Sequence, residues 1–392
     1  MKALIAAIGL LVAPARAARP DQPGRDAQKA FNAAVNLYEQ ADFEKALDRF
    51  NKAIALFPGW KTAASYRAMC LWTMGDLAGA AQDAEAGLKL KPNSTESFVA
   101  RGKARFVTKD YDGAVEDFRE AIALDPESAE GHFGLGGAIS AKGDPQGALT
   151  PLNNAIRLSP DFAAALLTRG AVKDRLRDFR GAIKDYSRVL DINSRLTHVR
   201  YLRGKSYREV KDYRQALADM DAFLEDNPGR EDALYLRSNV RFLLQDYPGA
   251  IDDLGRVIEI NPKKGLAYSN RGQARAIVGD KEGAISDLQK ALELEPAKRD
   301  KIQAAINSLS SPQAQAAPPA ALDSPASDVM PTQTVLPADS KTGGIIIIEN
   351  EGSKSGAKSS SKPEPAAVKA PEKPEPVKAE DNRGTDDTLF IR

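Results

Sequence analysis

The chain is poor in the residues that carry most protein chemistry. It has one cysteine, Cys70, so no intrachain disulfide can form. It has two histidines, His132 and His198, 66 positions apart, which argues against a zinc site. No nucleophile–base set, glycine-rich phosphate loop or metal-ligand cluster stands anywhere in the sequence, so the reading is non-enzymatic and calls for no cofactor. Charge of one sign is also missing. With 55 basic and 54 acidic residues there is no bulk attraction for nucleic acid or an anionic membrane. After the first residues no run of 18 apolar residues occurs, so no membrane insertion of the mature chain is expected.

What the chain does have is a beat. Prolines recur every 34 residues: Pro58, Pro92, Pro126, Pro160, Pro228, Pro262 and Pro296, with Ser194 at the one missed position. A period of 34 is the mark of stacked helix–turn–helix units. Eight units fit, at 27–60, 61–94, 95–128, 129–162, 163–196, 197–230, 231–264 and 265–298. Position 8 is small in all eight (Ala34, Ala68, Gly102, Gly136, Gly170, Gly204, Ser238, Gly272), and position 20 is always alanine. Small residues there predict close approach of the two helices of a unit. Position 24 is bulky and apolar except for Ala84, and is expected to fill the core against the next repeat. Position 16 is aspartate throughout, from Asp42 to Asp280. A single aspartate ahead of an apolar-periodic segment predicts the N-cap of the second helix, a structural and not a catalytic role.

In length, small positions, alanine and proline the pattern resembles the tetratricopeptide repeat family over residues 27–298. The resemblance implies an all-α fold, a right-handed superhelical solenoid of eight helix pairs. The first helix of each pair (helix A) would line a concave groove that holds a peptide or a partner helix. Residues 299–310 carry an apolar stripe, Ile302, Ala305, Ile306 and Leu309, and are read as a capping helix. One family subtype clamps carboxylate-terminated peptides with a lysine at position 5. This chain has aromatic, aliphatic or serine residues there, so that subtype is rejected.

Two columns depart from the family pattern together. Position 7, commonly leucine in the family, is arginine in six repeats, and the same six carry aspartate at position 23. They predict a ladder of Arg–Asp pairs, either within a repeat or between neighbours. The alternative is common inheritance by duplication.

By the resemblance, positions 2, 5, 9, 12 and 13 face the groove. The candidate contact residues there are Phe31, Tyr38, Trp72, Phe106, Phe133, Tyr201, Tyr235 and Phe242, with the basic Lys103, Arg175, Lys205 and Arg208. Glu96, Glu130 and Asp232 offset these charges. The aromatics either contact a partner or pack inward between repeats. The partner is expected to be a protein or peptide. A carbohydrate or envelope polymer stacked on the aromatics, and a purely structural spacer, are the alternatives. Repeat four, with six glycines and Pro151 inside its second helix, is either a hinge or a tolerated local variation.

The ends lie outside the array. Residues 1–17 read as a signal peptide, with Lys2, the apolar run from Ala3 to Ala13, and the small-x-small site Ala15-Arg16-Ala17. An uncleaved anchor is the alternative. Residues 18–26 form a short N-terminal segment. Export follows, periplasmic or secreted, with a bacterial envelope preferred. Residues 311–392 are rich in Pro, Ala, Lys and Glu and are expected to be a disordered tail that associates with the envelope. Two apolar islands interrupt it, Ile345–Ile348 and Leu389-Phe390-Ile391. Either adds a strand to a partner's sheet or is a sticky segment without a role.

Overall fold

A computed structural model describes residues 22–310. Among the described residues there are seventeen α-helices, one 3-10 turn and no strands. The repeats form successive pairs: α1 (Arg25–Glu39) with α2 (Phe43–Leu56), α3 (Lys61–Thr73) with α4 (Leu77–Leu88), and α5 (Thr95–Val107) with α6 (Tyr111–Leu124). The array continues with α7 (Ala129–Ala141) and α8 (Pro145–Leu158), then α9 (Ala163–Arg175) and α10 (Phe179–Ile192). It ends with α11 (Thr197–Glu209) and α12 (Tyr213–Asp226), α13 (Glu231–Leu243) and α14 (Tyr247–Ile260), and α15 (Gly265–Ile277) and α16 (Lys281–Leu294). Each helix packs on its partner and on the next pair, and α17 (Arg299–Ser310) packs on α16 through buried Ile302, Ile306 and Leu309. The result is an α-solenoid. None of its helices is long and apolar enough to cross a membrane.

The small columns explain the close pairing. All eight alanines at position 20 are fully buried. A Cβ on Gly170 would come within 2.7 Å of the Tyr186 ring, and one on Gly102 within 2.9 Å of the Phe118 ring. Position 24 therefore lies against position 8 of its own repeat. Phe118 also reaches the next repeat, where a Cβ on Gly134 would overlap its ring. The expected packing against the next repeat is thus only part of its role.

Every repeat turns from helix A to helix B in the same way. Position 15 has positive φ in all eight, at Ala41, Gly75, Lys109, Gly143, Arg177, Lys211, Gln245 and Gly279. The aspartate at position 16 then serves both helices. Its N–H bonds the carbonyl five residues back, at 2.8–3.2 Å, which closes helix A in a Schellman turn. Its carboxylate accepts the N–H of position 19 and caps helix B. Six repeats have glycine at position 19, where a Cβ would crowd the carboxylate. Their caps are 2.7–3.0 Å long. Lys45 and Gln215, which carry a Cβ, have the two longest, at 3.4 and 3.3 Å.

The arginine ladder runs within repeats. Arg67, Arg101, Arg169, Arg203, Arg237 and Arg271 each grip the aspartate sixteen residues on. Nε donates at 2.6–2.9 Å and Nη2 at 2.6–2.8 Å. This side-on fork uses guanidinium geometry that lysine lacks. The aspartates are buried. In four repeats Nη1 reaches back to the preceding one, at Asn51, Asn153, Ser187 and Asp221, so these four rungs also tie two repeats together. A second cation at position 11 joins four of the six pairs: Arg105, Lys173, Arg241 and Arg275.

Repeat four is continuous. Helix α8 runs through Pro151, and its partner α7 is among the most closely apposed helices of the array. The glycines of α7 let it approach: a Cβ on Gly136 would meet Leu152 at 2.6 Å. Over its first five repeats the array curls until α1 touches α9. The start of α2, Asp42 to Lys45, then faces the Asn193–His198 turn across a gap. Buried apolar residues from Ala27 to Val199 form one continuous core, while repeats six to eight and the cap hold two smaller ones.

Candidate binding groove

The curl creates a half-open apolar recess on the concave side of the front repeats, with a free volume of about 120 Å³. Helices α1, α3, α5, α7 and α9 build it, each through the positions that a 3.6-residue period turns toward the axis. Five of the sequence-predicted contact residues meet here: Tyr38, Trp72, Phe106, Phe133 and Arg175. Trp72 stands edge-on to Phe106, with centroids 5.2 Å apart, and Phe133 packs on Phe162 at 4.9 Å. Sequence reasoning missed Met69, Leu167 and Val172, which share the wall, and Phe43, which enters from helix B of repeat one. The first three lie at positions 9, 5 and 10 of helix A, so Met69 and Leu167 stand in groove columns, where their apolar side chains could have marked them.

Arg175 is the charge of the recess. Its Nη1 donates to the backbone oxygen and Oγ of Ser140, both at 3.2 Å. No described carboxylate lies within ion-pair distance of it. A guanidinium beside an apolar surface, satisfied by neutral oxygens only, favours an anion brought by something else.

The remaining candidates lie elsewhere. Phe31 is core, stacked on Trp60 at 4.8 Å and edge-on to Tyr66 at 5.0 Å. Lys103 is sealed, at 1% exposure, with Nζ 2.8 Å from Glu130 and 3.5 Å above the Tyr66 ring. Tyr66 itself donates to the other Glu130 oxygen at 2.6 Å. Lys103 thus neutralises a buried cluster and adds no charge to the groove. Burial and the charge of Glu130 push the nearby Glu39 carboxyl up to about 7. Burial likewise holds the Cys70 thiol protonated, pushed up to about 12, while it donates to the Phe43 carbonyl.

In the back repeats Tyr201 is buried against Phe223, and Arg208 is buried and paired with Glu209. Lys205 is half-buried, 5.8 Å over Tyr201. Tyr235 accepts from Asn270 at 3.1 Å and lies 4.3 Å under Lys264, and Phe242 packs on Tyr247 at 5.3 Å. These residues form separate local contacts, apart from the front recess. Between the two regions, Asp174 accepts from Ser206 and Tyr186 at 2.7 and 2.9 Å, and burial pushes its carboxyl up to about 6.

A solenoid of helix pairs with a concave apolar recess defines an interaction scaffold in class. Profiles described as tetratricopeptide repeat match residues 31–95, 201–265 and 266–298, and one described as TPR repeat matches 102–143. The chain belongs to the tetratricopeptide repeat family. Its fold is similar to that of the Cut9–Hcn1 hetero-tetramer of APC/C, at 14% identity and a TM-score of 0.53, covering 72% of this chain and 55% of that one. Two further similar structures are YrrB, described as a TPR protein with an unusual peptide-binding site, and pilF of Pseudomonas aeruginosa. YrrB has 20% identity and a TM-score of 0.46, over 48% of this chain and 98% of its own. The pilF structure has 15% identity and a TM-score of 0.44, over 54% of this chain and 96% of its own. These likenesses extend to the fold alone. No curated protein gives a significant match.

Proposed function

We propose that the chain is a non-enzymatic adaptor whose front recess anchors a protein or peptide partner through a bulky apolar side chain next to an acidic residue. The observation that supports this is the pairing of an apolar, half-open wall with Arg175, which has no carboxylate of its own. Anchors of this kind dominate interface energetics when they enter a desolvated pocket. Peptides of the form apolar–x–acid are titrated against the chain and its Trp72→Ala and Arg175→Gln variants. Trp72→Ala is expected to weaken binding by about thirtyfold, a hot-spot loss of about 2 kcal/mol. Unchanged affinity in both variants rejects the reading. The carbohydrate reading has less support, because Tyr38, Phe106, Phe133 and Tyr201 are buried and offer no row of open ring faces.

We also propose export to a periplasmic or extracellular space, with envelope association through the tail. These readings rest on residues 1–17 and 311–392, which lie outside the described residues. N-terminal sequencing of the mature protein, with an expected start after Ala17, tests the first.

A further inference from the structure

We propose that the front recess is also a docking surface for a segment of this same chain, Ile345–Ile348 with Glu349. The proposal rests on the recess being a binding site, as argued above, and names an occupant that the chain itself carries.

Four features point to this segment. It is the longest uninterrupted run of large aliphatic residues after the array, with Glu349 directly after it and Glu351 two residues further on. In extended form alternate side chains share a face. Ile345, Ile347 and Glu349 therefore project to one side, two apolar groups and then a carboxylate, with about 7 Å between successive members. The recess offers the complement, an apolar wall along α3, α5 and α9 and then the Arg175 guanidinium at the end of α9.

Reach is sufficient. Thirty-four residues separate Ser310 from Ile345, and extended they span up to about 110 Å. Eight neighbour-to-neighbour steps lead from α9 to α17, a path of at most about 80 Å at 8–10 Å per packed neighbour. Tethering makes the encounter intramolecular, with an effective concentration on the order of 1 mM. An intrinsic affinity of about 0.1 mM then fills the recess most of the time and weakens an outside peptide about tenfold. Docking also covers four consecutive β-branched residues that are an aggregation hazard when exposed.

The test uses the full chain. A photo-crosslinking phenylalanine derivative is placed at position 72 and, in a second protein, at position 140, each checked for native helicity. After irradiation the captured peptide is mapped by mass spectrometry. Capture of residues 341–353 of the same chain, undiminished on dilution and lost in I345S/I347S, is the expected result. Capture of residues 389–391, of residues 3–13 or of a second copy, or no capture from either position, overturns the proposal. Titrating I345S/I347S with the apolar–x–acid peptides separates the two readings. Peptide binding without tail capture overturns docking alone, and tail capture without peptide binding overturns the outside partner alone.

Discussion

Position 9 is lysine in both the third and the sixth repeat, yet the two lysines live in different proteins as far as solvent is concerned. Lys103 is sealed between Glu130 and Tyr66, while Lys205 is half-buried over Tyr201. The contrast extends to whole regions. Repeats one to five share one core and curl until α1 meets α9, and their helix A faces are rich in aromatic, alanine and glycine residues. Repeats six to eight and the cap hold two smaller cores, and the helix A faces of these repeats carry Arg208, Asp232, Asn239 and Asn270. The same 34-residue frame therefore yields a closed front with a recess and a polar back. Side-chain volume on the inner face sets how near successive helices come.

The sharpest way to break this comparison is to truncate the two lysines. Lys103→Ala leaves the half-buried Glu130 carboxylate without its cation and Tyr66 beside it, and is expected to cost about 2–3 kcal/mol. Lys205→Ala is expected to stay within about 0.5 kcal/mol. Equal losses in urea denaturation would show that the front is no more closed than the back. Next comes the ladder, which crosses both regions. Arg203→Ala orphans Asp219, whereas after Arg169→Ala the neighbouring Lys173 still pairs with Asp185 at 2.8 Å. The loss is expected to be about 3 kcal/mol in the first and about half that in the second. A larger loss for Arg169→Ala would contradict the role given to position 11.

Smaller effects are expected at the shared turn. Lys109 and Lys211 hold positive φ, one in each region. Replacing either with glycine is expected to stabilise by about 0.5–1 kcal/mol, because a Cβ is disfavoured there. Calorimetry that shows destabilisation at both sites would refute this.

The last effect is on pH dependence, and it separates the regions by sign. The Glu39 carboxyl is raised to about 7 by burial and by Glu130, so its contribution is full below its unfolded value near 4.5 and is lost as pH rises through 7. His198, buried at the seam between the regions with no partner on Nε2, is lowered to about 4. Its contribution is present above 6.5 and is lost as pH falls through 4. Glu39→Gln is expected to gain stability over the parent at pH 8 and to match it at pH 4, in melts at both pH values. No difference at pH 8 would mean that Glu39 is solvated.

Much of the fold was legible because each feature repeats. The Arg–Asp pairs stood out as two columns present in the same six repeats, and the aspartate caps as a column without exception. Position 15 was not legible. All eight residues share one backbone conformation, but only three are glycine, since a Schellman turn is stable enough to hold Ala41 or Gln245 at positive φ. The candidate site was legible in type and not in outcome. Twelve residues stood in groove columns, yet Phe31, Lys103, Tyr201 and Arg208 turned inward or found partners, while Trp72 on α3 and Arg175 on α9 came to line one recess.

The sequence by itself determined what is local: the 34-residue period, the start and end of each second helix, the caps and the paired arginines. Each depends on neighbours at fixed spacing along the chain, and a spacing can be read. Only the tertiary structure decided which inner-face residues are sealed and which line a recess. That depends on how small rotations between successive repeats accumulate until α1 reaches α9, and no single column of the sequence encodes a sum over five repeats.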